Sequence, residues 1–80
     1  MEKAEIIRIV NSFLIEEFEV EEEKIEPSAN LKNDLGIDSL DFVDIAVIIE
    51  KNFGSKIKGE EMVGIKTLDD FYNFIYQSLN

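Results

Sequence analysis

DLGIDSLDF, residues Asp34 to Phe42, stands where a loop should give way to a helix, and its reading decides the fold. Asp38 makes a good N-cap, because its carboxylate can accept a hydrogen bond from a free amide of the first helical turn. Asp41, three residues on, also favours the positive end of a helix. Gly36, just before, lets the backbone turn sharply. With Asp38 filling the capping role, Ser39 falls at the first helical position with its hydroxyl unassigned. Position alone leaves two readings. Ser39 is an ordinary first-turn residue, or it is an exposed hydroxyl at a helix N-terminus, where a phosphate is welcome.

Reading forward, the pattern predicts a helix from Ser39 to Phe53, closed by Gly54 as its C-terminal cap. Phe42, Ile45, Ala46, Ile49 and Phe53 form one apolar stripe at helical spacing, with Ile48 at its edge. That stripe suffices for the core. Leu40, Val43 and Val47 form a second stripe on another face, bordered by Asp44 and Lys51 on one side and Glu50 on the other. A helix apolar nearly all round is either deeply buried or built to bind. A small chain can hardly bury every side, so the charged rim points to a docking surface, with packing under a loop as the competing reading.

Two further helices flank this one. Ile6, Ile7, Ile9, Val10, Phe13, Leu14 and Phe18 share an arc that predicts a helix from about Lys3 to Phe18. Leu68, Phe71, Tyr72, Ile75 and Leu79 predict another from Leu68 to about Leu79, with Thr67 and Asp70 at capping-box spacing. Residues 59–64 have room for one short helical turn. No alternating strand pattern of useful length occurs, so the fold class is all-α. The connector from Glu19 to Asp38 is long, and a connector of that length is usually functional. Val20, Ile25, Leu31, Leu35 and Ile37 are spaced to pin it across the helices, and Pro27 argues against a helix through its middle.

Composition narrows the chemistry. The 80 residues hold 18 acidic and 8 basic side chains, a formal charge of -10, with 45% apolar residues. This is the size of a single domain, 1–80, with one modest core. Such a charge repels nucleic acid and steers toward basic partners. No signal peptide or membrane span is visible, which fits a cytoplasmic protein. Cysteine and histidine are both absent. That removes the thiolate nucleophile, the commonest acid-base group and the commonest metal ligands. The expectation is no catalytic residue and no metal. A calcium-binding helix-loop-helix fails on spacing, because placing Gly36 as the turning glycine puts Leu31 and Leu35 at ligand positions.

With these residues in view, the chain resembles the acyl carrier proteins. DLGIDSLDFVDI is similar to their helix-start signature, an Asp-Ser-Leu tripeptide after a Leu-Gly pair, here Asp38-Ser39-Leu40 after Leu35-Gly36. The similarity takes in the leading helix, the loop with Pro27-Ser28-Ala29-Asn30-Leu31, the helix closing at Phe53 and the last helix after Thr67. It implies a small four-helix bundle with a long first loop and a short third helix. It implies that Ser39 carries a 4′-phosphopantetheine arm, placed by a phosphopantetheinyl transferase, whose terminal thiol holds an acyl group as a thioester. An imported thiol would reconcile thioester chemistry with a chain that has no cysteine. Leu40, Asp41, Val43, Asp44 and Val47 would form much of the docking face for basic-surfaced enzymes of fatty-acid or related biosynthesis. The carrier is expected to be a discrete monomer. A carrier of aminoacyl or polyketide units, and an unmodified acidic interaction domain, are the alternatives. Departures fall outside the attachment motif. Lys58 stands where the family often has proline, residues 54–65 are less regular, and Phe42, Met62 and Phe71 are larger than usual. By the resemblance the acyl cleft opens beside Phe42, so the large side chains would fill part of it.

Overall fold

A computed structural model describes residues 1–79. Helix α1 runs Lys3–Phe18, α2 runs Asp41–Phe53 and α3 runs Leu68–Leu79, with short 3-10 turns at Glu22–Lys24 and Gly59–Met62. The class is all-α, as the periodicity indicates. The short third helix is not an α-helix: residues 59–62 form one 3-10 turn, leaving three α-helices among the described residues. The departure of residues 54–65 from the family pattern falls in this place. Ile57 and Met62 nevertheless anchor the segment, both buried.

Each helix end follows from local chemistry. α1 closes at Glu19, whose φ of 57° is left-handed, and the amides of Glu19 and Val20 both return to the Leu14 carbonyl. A non-glycine residue rarely takes this cap. α2 closes as the sequence indicates, with Gly54 at φ 73° and its amide 2.8 Å from the Glu50 carbonyl. α3 opens with a reciprocal box: the Asp70 amide donates to Thr67 Oγ1 at 3.2 Å, and the Thr67 amide donates to Asp70 Oδ2 at 3.3 Å.

α1 packs on α3, and the second 3-10 turn packs on α2. The core joins Ile6, Val10 and Leu14 of α1, Ile45 and Ile49 of α2, and Leu68, Phe71 and Ile75 of α3. Phe53, placed on the α2 core stripe by its spacing, is only half-buried at the helix end. Tyr72 donates its phenol hydrogen to Asn11 Oδ1, tying α3 to α1. Burial pushes the Tyr72 phenol above its ordinary pKa of 10.0. The Asn11 bond acts against the rise, and the Asp69 carboxylate adds to it.

The long connector is pinned by Val20, Leu31, Leu35 and Ile37, all buried, while Ile25 is half-buried. Its backbone is also stitched to the start of α3. The amides of Leu68 and Asp69, which a helix leaves free, donate to the carbonyls of Ala29 and Pro27, each at 2.9 Å. The Leu31 amide donates to the Lys66 carbonyl at 2.9 Å, and Asn30 forms an antiparallel bridge with Thr67. Asn30 Oδ1 accepts from the amides of Lys32 and Asn33 at 3.0 and 2.9 Å, folding the loop back toward the motif. Thus the connector delivers Ile37 and Asp38 to the head of α2 in a fixed geometry.

Candidate functional site

Three carboxylate bonds build the turn around Ser39. The amides of Leu40 and Asp41 donate to Asp38 Oδ1 at 2.9 and 3.2 Å. In return the Asp38 amide donates to Asp41 Oδ2 at 3.1 Å. This is a capping box with two aspartates in the paired roles. Regular α-helix begins at Asp41, two residues later than the sequence pattern places it, because the first turn closes through Asp41 N to the Asp38 carbonyl at 3.1 Å. Ser39 therefore lies in the capping turn rather than in the helix proper. Gly36, at φ 71°, makes the left-handed bend that the sequence assigned to it.

Asp38 takes the capping role and so frees the serine. Ser39 is exposed, and its hydroxyl has no hydrogen-bond partner among the described residues. The hydroxyl sits beside the positive end of α2.

Ser39 also stands between two depressions. One is a cleft of about 460 Å³ with an apolar wall of Leu31, Ile37, Phe42, Val63 and Ile65. The other, about 340 Å³ and shallower, has Val43, Lys58, Gly59 and Val63 around the serine. Phe42 is buried at the edge of the first cleft and forms part of its wall, leaving the cleft open. Met62 and Phe71, the other large residues, lie in the core away from it.

Of the expected docking residues, Leu40, Val43 and Val47 are 79%, 61% and 61% exposed, so no loop covers this face. Asp44 is also exposed, while Asp41 is half-buried by its capping bond. Val63, 66% exposed, extends the apolar set onto the residue that follows the second 3-10 turn. The helical periodicity of α2 gave no sign of it, because Val63 comes from a separate segment. Among the described residues no group of acidic side chains is arranged to hold a metal, and no helix is long and apolar enough to cross a membrane.

Comparison with known proteins places this geometry in a family. The family model described as "phosphopantetheine attachment site" matches residues 8–75, a span that includes Ser39. The acyl carrier protein of Coprothermobacter proteolyticus is 38% identical over 79 residues, which cover 99% of this chain and 96% of that protein. That of Thermosynechococcus vestitus is 36% identical over 94% of this chain and 93% of its own length. That of Petrotoga mobilis is 32% identical over 100% of this chain and 94% of its own length. The cofactor class is therefore phosphopantetheine, and the work is carriage rather than catalysis. The chain belongs to the phosphopantetheine-attachment family, that of the acyl carrier proteins.

Proposed function

We propose that Ser39 is the attachment point of the 4′-phosphopantetheine arm, and that the arm presents acyl thioesters to enzymes of fatty-acid synthesis or a related pathway. One observation carries this reading: an exposed serine hydroxyl without an internal partner, held by the Asp38–Asp41 box at the mouth of an apolar cleft. A phosphopantetheinyl transferase needs a hydroxyl it can reach, and the arm's phosphodiester would then lie near the positive end of α2. The cleft offers an acyl chain shelter from water.

In this reading residues 1–80 belong to one carrier domain working in the cytoplasm. The 3-10 turn at Gly59–Met62 takes the place of the short third helix in a four-helix bundle. The exposed face of Leu40, Val43 and Val47, with Asp41 and Asp44 beside it, receives basic-surfaced partner enzymes. The charge of -10 supports that polarity. The test is incubation of wild type and Ser39→Ala with coenzyme A and a promiscuous phosphopantetheinyl transferase. Wild type is expected to gain one arm, mapped to Ser39. A folded Ser39→Ala protein that still gains the arm would place the attachment elsewhere.

A further inference from the structure

We infer that the Lys58 ammonium pairs with the phosphodiester of the arm on Ser39, and so lays the root of the arm over the shallow depression between α2 and the second 3-10 turn. The inference rests on the carrier reading above and adds a positioning residue to it. The head of α2 has little left to offer an anion. The amides of Leu40 and Asp41 already donate to Asp38 Oδ1, and the Asp38 amide donates to Asp41 Oδ2. Two carboxylates thus flank Ser39 in the same turn. A phosphodiester there adds another negative charge to a chain of formal charge -10, and like charges at close range repel. A cation beside the serine offsets that repulsion.

Lys58 is placed to be that cation. The depression of about 340 Å³ beside Ser39 has Lys58 as its one basic residue among those described. The backbone at Lys58 is fixed: its amide donates to the Glu61 carboxylate at 3.0 Å, and its carbonyl accepts the Glu61 amide at 2.9 Å. Gly59 then passes so close to α2 that a Cβ there would lie 3.5 Å from the backbone of Phe42 and Val43. Lys58 therefore leaves the chain beside the first turn of the helix. Its side chain is exposed, and the ion pairs of the described residues use Lys3 and Arg8 instead. Glu60, which lines the same depression, forms no ion pair with it. Proline, which the family often has at this position, would supply no charge. Lys32 and Lys66 line the other cleft, whose wall of Leu31, Ile37, Phe42 and Ile65 suits an alkyl chain better than a phosphate.

Arm and lysine together make a double-mutant cycle. Wild type, Lys58→Gln, Lys58→Arg and Lys32→Gln/Lys66→Gln are prepared without the arm and with the unacylated arm, intact mass verifying each form. All are melted at low and at high salt. The difference in Tm between the two forms of one protein isolates the arm, so any effect of a substitution on the fold itself cancels. Exposed ion pairs are individually weak, so at low salt the arm's effect on Tm should be about 1–4 °C less favourable in Lys58→Gln than in wild type. High salt should close that gap. Lys58→Arg keeps the charge and should respond as wild type does, and so should Lys32→Gln/Lys66→Gln. NMR of wild type supplies a readout that needs no variant: the side-chain Hε signals of Lys58 should move when the arm is attached, while those of Lys56, exposed two residues earlier, stay in place. Equal arm effects in wild type and Lys58→Gln, or a Lys58 signal that does not move, would overturn the inference while leaving the carrier reading intact. A gap seen only in Lys32→Gln/Lys66→Gln would overturn it too, by placing the phosphodiester in the apolar cleft. A wild-type chain that takes no arm at Ser39 overturns the carrier reading itself, and this inference with it, which mass alone reveals.

Discussion

Replacing Asp38 separates the geometric role of the capping carboxylate from its charge. In Asp38→Ala the amides of Leu40 and Asp41 lose their acceptor, now held at 2.9 and 3.2 Å. Removing an N-cap acceptor typically costs about 1 kcal/mol, within a range of roughly 0.5–2. Losing a carboxylate at a helix start adds roughly 0.3–1 kcal/mol. Relief of self-repulsion in a chain of charge -10 offsets a few tenths of a kcal/mol, roughly, since the site is exposed and screened. The sum is a loss of about 1–1.5 kcal/mol. For a domain of this size each kcal/mol moves Tm by about 4–8 °C, so Asp38→Ala should melt about 5–10 °C below wild type. Asp38→Asn keeps an acceptor oxygen and loses the charge, and should fall by only about 1–3 °C. Thermal unfolding by circular dichroism at moderate salt measures all three proteins. An alanine variant melting with wild type would refute the capping argument. An asparagine variant falling as far as alanine would show that charge, not the acceptor, holds the turn.

Three further outcomes are expected. Glu19→Gly relieves a left-handed φ at the end of α1 and removes a negative charge from the helix C-terminus, so it should stabilise the chain by about 1 kcal/mol in chemical denaturation. Tyr72→Phe tests the raised phenol pKa: because the folded chain holds the proton more tightly, this group's contribution is complete below the unfolded value near 10.0 and drains away as pH rises through the folded value. Wild type should accordingly lose stability faster than Tyr72→Phe above that pH, while the variant sits about 1 kcal/mol lower at neutral pH for want of the Asn11 bond. In surface-plasmon kinetics with a partner enzyme, Asp44→Lys should slow association about two- to tenfold at low salt and little at high salt, whereas Val47→Ala should speed dissociation about three- to tenfold.

Features set by one residue's own chemistry were legible in the sequence. The Thr67–Asp70 box, the Gly54 cap, the bend at Gly36 and the two stripes of α2 each depend on neighbours within a turn. The freedom of Ser39 followed from Asp38 taking the cap. Features made by backbone groups across distance were not legible. The carbonyls of Pro27 and Ala29 that satisfy the head of α3 carry no residue signature. Glutamate at position 19 gives no sign of a left-handed cap, since the amides returning to Leu14, not the side chain, impose it. The 3-10 turn at Gly59–Met62 was indistinct because packing of Met62 and Ile57, rather than a run of helical periodicity, holds it.

The central claim, that Ser39 bears an acyl-carrying arm, is tested most directly by intact mass and peptide mapping of the protein isolated from its own host under conditions that preserve thioesters. The account predicts a chain bearing one phosphopantetheine, a fraction of it acylated, with the modification confined to the peptide that contains Ser39. A chain recovered wholly unmodified, or bearing the arm on another residue, would contradict it.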